Sequence, residues 1–399
     1  MMTMQRTVIP ALLLMMFTTT IMAQPLELWQ LRDDGIARWR YVWGDEFEDG
    51  QVDKEKWRQS YPWGRNLGNN MLQYYADENS FLEDGRLIIQ ATETDTTAKS
   101  ISWKPDDFIM KDGTPNIQEF DYKSGMLFSK ETFYQGFYEA RLKLPEGAGF
   151  FPAFWLFGGN PNEEIDIIEA KGEKPFKYHV DMHCPDGCSD YRKFLWWRTS
   201  GFGGWIEREE KLTDSFHDFA GEWTLGEIVF YMDGEETDQW GGKLDHPGHV
   251  ILNLGIKGGR QSTSGFNGPV DDSTPFPSRF EAEFVRRYER VDEGWATKES
   301  ARLKKKGIKK KKRSMKKIRS RVSSSVRMFE EGRTIRVEHA GGPKTGIFRI
   351  LDPQGEELAV LVSDEQGWSH SLRKEITGRI ELVGEMGGQV ASMWIELSD

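Results

Sequence analysis

A chain of 399 residues, 38% hydrophobic and 13% aromatic, can bury a full core without staples and is too apolar to be a disordered chain. Its net charge of −11 is unevenly spread: residues 302–321 hold thirteen Lys or Arg and no acid, and taking those thirteen from the 53 basic residues leaves 40 against 64 acids. A body that acidic does not attract nucleic acid or polyanions, so a neutral polymer is the easier partner.

The chain opens on an export signal. Arg6 supplies the positive end, Val8 to Phe17 form an apolar run, and small and polar residues lead to Ala23. Residues 1–23 are read as a signal peptide, with Gln24 first in the mature protein. The run is shorter than the roughly 20 apolar residues a membrane span requires, and no later segment is long enough. The expectation is a secreted protein, extracellular, periplasmic or at the cell surface, monomeric and without a membrane span.

From residue 39 to about 292 the pattern is one of short alternating runs. In Phe137–Leu144, Tyr138, Ala140, Leu142 and Leu144 share one face, while Glu139, Arg141 and Lys143 share the other, the period of a half-buried strand. Similar runs occur at Arg86–Ala91, Ile228–Met232, Val250–Leu254 and Phe280–Tyr288. Asp84-Gly85 and Asp233-Gly234 read as tight turns between strands. Long helical periodicity is almost absent, and many strands with turns predict an all-β sandwich of two antiparallel sheets.

Glu164-Ile165-Asp166-Ile167-Ile168-Glu169 carries the chemistry. Acids on an exposed strand are common, but like charges along one strand face are unfavourable without a task. Glu164 and Asp166 point the same way because strand side chains alternate. Glu169 would point the other way unless one β-bulge within Ile167–Glu169 restores it. The two glutamates would then stand four strand steps apart, about 13 Å between Cα atoms. Long side chains leaning inward bring the carboxyls to about 5–5.5 Å, the separation a retaining glycosidase uses. Close acids cannot all ionise at neutral pH, which supplies an ionised nucleophile beside a protonated acid.

Downstream lie the two cysteines, Cys184 and Cys188, whose spacing can close a small disulfide loop in an oxidising compartment. His179 and His183 just upstream give a metal reading, but the spacing matches no common zinc pattern. Residues 293–325 hold the basic stretch and read as a solvated linker, with contact to an acidic cell surface or polyanion as the sharper alternative. Residues 326–399 return to alternation and form a second, small β-sandwich-like domain in which Trp368 and Trp394 could serve as sugar platforms. This organisation implies that residues 24–292 are the catalytic unit and that a fragment ending near residue 300 folds alone.

The central stretch resembles glycoside hydrolase family 16. The resemblance rests on the E-x-D-x-x-E segment together with WGDEF (Trp43 to Phe47), NNMLQYY (Asn69 to Tyr75), GFYEARLKLP (Gly136 to Pro145) and FPAFWL (Phe151 to Leu156). It extends through FHDFAGEW (Phe216 to Trp223), IVFYMDG (Ile228 to Gly234) and FVRRY (Phe284 to Tyr288). It implies a concanavalin-like jelly-roll β-sandwich, with Glu164 as nucleophile, Glu169 as acid/base and Asp166 tuning the pair. It further implies that Trp155 lines the cleft floor, that His183 faces the acids, and that Arg65 and Asn69 bind the glycan. No cofactor is required by such chemistry. A structural calcium site would use Glu46, a carbonyl near Gly85 and Glu283. Two departures touch the sugar platforms: Phe151 stands where Trp is usual, and Gly158-Gly159-Asn160-Pro161-Asn162 lacks a Trp often found before the acids. The leading expectation is an endo-acting retaining hydrolase of β-1,3- or β-1,3-1,4-glucan. The alternatives are a galactan hydrolase of the agarase or carrageenase type and a non-catalytic sugar-binding protein on the same fold.

Overall fold

The computed structural model describes residues 24–397 apart from 33–34, 67–70, 102, 111–112, 159–162, 185–200, 242–243, 245, 258–267, 293, 295–324, 332–333, 340–345, 364–367, 372–378 and 387–388. The signal-like segment 1–23, the basic stretch 302–321 and Asn69 therefore lie outside the described residues. The alternating sequence has become strand throughout, and the 3-10 turn Asp77–Asn79 is the one helical element among the described residues.

A seven-stranded sheet carries the acid segment. Its spatial order is Gly201–Glu207, Lys177–His183, Glu164–Ala170, Phe150–Phe157, Gly248–Ile256, Met126–Phe133 and Trp57–Arg58. A fourteen-stranded sheet covers one face of it. Its main path runs Glu235–Gly241, Glu227–Met232, His217–Trp223, Gly136–Lys143, Ser278–Arg290, Gly35–Asp45, Pro25–Arg32, Ser325–Glu331, Thr334–His339 and Trp368–Ser371. Between the two sheets lies the main core, where Phe150, Phe154, Ile165, Leu252 and Leu254 of one meet Ala140, Leu142, Phe219, Phe230 and Val285 of the other. This is the jelly-roll sandwich architecture, and the larger sheet leaves the opposite face of the seven-stranded sheet uncovered. Both predicted turns form as hairpins, with Asp84, Gly85, Asp233 and Gly234 all at positive φ, the conformation that Asp-Gly accepts most easily.

The C-terminal strands continue the larger sheet. Pro25–Arg32 pairs with Gly35–Asp45 on one side and with Ser325–Glu331 on the other, setting Trp29 opposite Val326. Trp29 is fully buried in a second core with Val326, Met328, Phe348, Ile350, Ile380 and Leu382, so the N-terminal strand completes the C-terminal core. A four-stranded sheet, in the order Glu357–Ser363, Gly346–Leu351, Arg379–Met386 and Gln389–Glu396, closes that core.

The outer face of the larger sheet is where the water-facing expectation for Glu139 meets an obstacle. Glu139 is buried, because Arg327 of the Ser325–Glu331 strand reaches it at 2.9 Å and also reaches Asp218 at 2.8 Å. Charges then alternate across that face. Arg286 holds Glu46 through two hydrogen bonds of 2.8 and 2.7 Å and stands 3.7 Å from Glu139, while Arg141 joins Asp218 at 3.2 Å to Glu283 at 2.7 Å.

Candidate active site

In the Glu164–Ala170 strand, Ile165, Ile167 and Ile168 are all buried in the main core. Two consecutive isoleucines can face the same side only if the strand slips. The pairing with Lys177–His183 does slip between Asp166 and Glu169, and the pairing with Phe150–Phe157 passes from Trp155–Asp166 to Phe154–Ile168. This is a β-bulge, the one the spacing of the acids requires. Gly221 on the facing sheet makes room for it: a Cβ there would stand 2.9 Å from the Ile167 side chain. As a result Glu164, Asp166 and Glu169 all emerge on the open face.

The neighbouring strand supplies a partner for each acid. Across the pairing, Glu164 lies opposite His183, Asp166 opposite Asp181 and Glu169 opposite His179. His183 Nε2 stands 3.4 Å from both Asp166 Oδ2 and Asp181 Oδ2, and His179 Nδ1 stands 3.4 Å from Glu169 Oε2. Gly203 on the next strand keeps this space open, since a Cβ would come within 2.4 Å of the His179 ring. Ligand atoms of Glu164, Asp166 and His183 fall within 4.8 Å of one another.

Burial sets the protonation of this group. It pushes the Glu164 carboxyl up to about 9, with the charges of Asp166 and Glu169 adding to the rise and His183 opposing it. Burial also raises Asp166 well above the usual carboxylate range, helped by Glu169 and Asp181. Asp181 rises by burial too, against the pull of His183. Glu164 and Asp166 crowd one another and hold at least one proton between them at neutral pH.

On the other side of the acid strand lies an aromatic floor. Trp155 is in register with Asp166, and its Nε1 donates to Asn253 Oδ1 at 2.7 Å; Asn253 in turn donates to the Tyr75 hydroxyl at 3.1 Å. Tyr61 and Trp63 stack at 5.1 Å between centroids, and Trp63 meets Phe157 edge-on at 5.7 Å.

The sequence profile of glycosyl hydrolases family 16 matches residues 95–249. A β-glucanase of Rhodothermus marinus is 29% identical over 289 residues, covering 65% of this chain and 89% of that protein. A glucan endo-1,3-β-glucosidase of Cryptopygus antarcticus is 28% identical over 280 residues, covering 63% and 92%. The solved endo-β-1,3-glucanase of Pyrococcus furiosus is 30% identical with a TM-score of 0.53, covering 66% of this chain and 98% of that one.

The chain belongs to glycoside hydrolase family 16. Like the family it is a retaining glycoside hydrolase, and the bulged acid strand is where its family 16 character is concentrated. The other residues expected from the family resemblance fall less uniformly. Trp155 and His183 stand beside the acids. Arg65 is turned to its own neighbourhood: its guanidinium donates to the Tyr75 carbonyl at 2.8 Å and pairs with Asp77 at 2.7 Å. Cys184, buried after the last residue of the Lys177–His183 strand, is disulfide-bonded, and Cys188 lies outside the described residues. The residues expected to hold calcium do not fit that role. Glu46 is paired with Arg286 and Glu283 with Arg141, so neither carboxylate offers uncompensated charge to a divalent cation, and Gly85 simply forms the tip of a hairpin.

Residues of this face not singled out from the sequence include Asp181, Tyr61, Trp63 and Asn253. The aromatic pair flanking Pro62 just before Gly64 was the available signal for Tyr61 and Trp63. For Asp181 the signal was its alternation with His179 and His183, three polar groups on one strand face.

Proposed function

We propose that the protein cleaves β-1,3- or mixed β-1,3-1,4-glucan internally, with Glu164 as nucleophile, Glu169 as acid/base and Asp166 as proton holder. The observation that carries the reading is the bulge, which turns both glutamates to one open face with Asp166 between them. The glucan activities named for the Rhodothermus, Cryptopygus and Pyrococcus relatives support the substrate class.

The resting proton on the Glu164–Asp166 pair has a role in this scheme. Its transfer from Glu164 to Asp166 leaves the carboxylate needed for attack without changing the charge of the pair. Glu164 then bonds to the anomeric carbon as the glycosidic C–O bond breaks, and the proton of Glu169 passes to the leaving oxygen. In the second half Glu169 takes a proton from water, the water oxygen bonds to the anomeric carbon, and the ester to Glu164 breaks. Trp155, fixed by Asn253, offers its ring to a sugar face.

Residues 1–23 support export to where such polymers are met. Among the described residues no helix is long and apolar enough to cross a membrane. NMR of the first products from laminarin tests the mechanism. Retained β-anomer is expected; release of the inverted anomer rejects Glu164 as nucleophile. A panel of laminarin, lichenan, agarose and carrageenan tests the substrate, and faster cleavage of agarose or carrageenan rejects the glucan.

A further inference from the structure

The open face changes charge sign just beyond Glu169. Ala170 lies opposite Tyr178, so the next residues, Lys171 and Lys177, stand side by side. Their ammoniums approach the Trp205 ring at 5.3 and 5.0 Å, and Trp205 in turn lies opposite His179 with ring centroids 5.0 Å apart. From the other flank Lys257, the residue after the Gly248–Ile256 strand, places its ammonium 4.8 Å over the Phe151 ring. Lysines and aromatic rings thus alternate along one border of the site. Toward the Glu164 end of the acid strand, the floor of Tyr61, Trp63 and Trp155 is built of uncharged rings.

In a body where acids far outnumber bases, Lys171, Lys174, Lys177 and Lys257 gather at this border, facing Glu173 beside Lys171, Glu207 in register with Lys177, and Glu169 beside Lys257. Among the described residues no carboxylate lies within 4.0 Å of the Lys177 or Lys257 ammonium. Lys257 is half-buried, and burial pushes its ammonium down while Glu169 opposes the shift. Lys171 is pushed down by burial, with Lys174 and Lys177 adding to the effect and Glu173 opposing it. Desolvated like charges held together cost stability, and an anion placed among them would repay it. Adjacent strands are about 4.8 Å apart, so Trp205 sits about 10 Å from the acid strand, clear of the reacting sugar and within reach of its neighbour.

We propose that Lys171, Lys177 and Lys257 bind an anionic substituent, a carboxylate or a sulfate ester, carried by a sugar adjoining the cleavage point, while Trp205 and Phe151 pack against the glycan. The proposal rests on the glycan-hydrolase reading of the same face and refines its substrate class to a β-glycan bearing acidic decorations. Such a polymer has a neutral backbone for the aromatic floor and scattered charge for the lysine border.

The test is binding, so that it does not depend on turnover. Full-length Glu169→Gln protein is titrated calorimetrically with laminarin, with partially carboxymethylated laminarin and with partially sulfated laminarin of matched length. At low ionic strength the modified polymers are expected to bind several-fold tighter than laminarin, and the advantage should fade in about 0.5 M salt. Lys177→Gln and Lys257→Gln, added singly, should each reduce the advantage by up to about fivefold. Preference for only one modified polymer identifies the group as carboxylate or sulfate. Equal or weaker binding of both overturns the proposal. So does a preference that survives both lysine substitutions, which would belong to residues 302–321. Failure of wild-type protein to cleave laminarin would instead count against the glucan reading.

Discussion

The two faces of this molecule treat the same functional group in opposite ways. On the outer face of the larger sheet, Glu139, Asp218, Glu46 and Glu283 are each matched by a guanidinium. Burial by itself would raise Asp218, but Arg327 and Arg141 outweigh it and hold the carboxyl below its usual range. On the open face of the smaller sheet, Glu164 and Asp166 are as deeply placed but, among the described residues, are met by histidine and other acids, and both rise. Depth is therefore not what separates a structural acid from a reactive one. The partner decides: arginine fixes the charge permanently, whereas histidine and a second carboxyl leave a proton that can move.

The sharpest way to break this contrast is to remove a movable proton. Glu164→Gln and Glu169→Gln should each lower kcat on laminarin by about 10²–10⁴-fold or more. Yet Glu164→Gln should raise the melting temperature by about 2–4 °C, since it relieves crowded buried acids. A variant that is both inactive and less stable would place Glu164 among the structural acids. An added check is Glu164→Ala with azide, which should recover part of the rate and give product of inverted configuration.

Breaking the outer face should do the reverse. Arg327→Met leaves Glu139 and Asp218 without their shared cation and should cost about 3–5 kcal/mol in denaturant unfolding. Its kcat at a permissive temperature should stay within a few-fold of wild type. Truncation after residue 300 removes Arg327 and also uncovers Trp29, so that fragment should melt lower still.

Titration separates the faces with a smaller signal. The folded state keeps the Glu164 proton up to about 9, whereas the unfolded chain releases it near 4.5. Through that window the unfolded state binds fewer protons, so this group makes stability fall as pH rises. Glu164→Gln should flatten that slope. Asp218 acts oppositely: its contribution is complete above its ordinary value near 3.8 and is lost as pH falls through the depressed folded value. Asp218→Asn should therefore be less sensitive to acid than wild type below pH 4, read as melting temperature against pH. The mildest change is Trp155→Phe, which keeps the ring and loses the hydrogen bond to Asn253; a cost of about 0.5–1.5 kcal/mol and a modest rise in KM are expected.

Much of the open face was legible in the chain because its logic is local. The alternation of Glu164 and Asp166 with isoleucines, followed by the doubled Ile167-Ile168, encodes a strand, a core side and a slip within seven residues. Asp84-Gly85 and Asp233-Gly234 encode their turns in two residues each. The outer face was not legible in the same way. Glu139 alternates as a solvent-facing residue should, and what buries it arrives 188 positions later as Arg327. Glu46 and Glu283 looked available to a cation because nothing nearby in sequence showed that Arg286 and Arg141 fold against them. The lysine border was hidden for a related reason: Lys171 and Lys177 meet only once their strands are in register, and Lys257 reaches the Phe151 ring from another strand.

The pairing of Pro25–Arg32 with Ser325–Glu331 has a consequence in time as well as in space. A ribosome makes the second of these strands 300 residues after the first, counting from Pro25 to Ser325. Until residue 326 is available, Trp29 has a neighbour across the ladder on the Arg38 side only, and the other edge of its strand stays unpaired. Closing so long a loop is entropically unfavourable, and every residue between must be collapsed before the two edges meet often. The chain can therefore complete its largest sheet only after residue 325 has been made. An open strand edge during that interval is a point where two nascent copies could pair with each other.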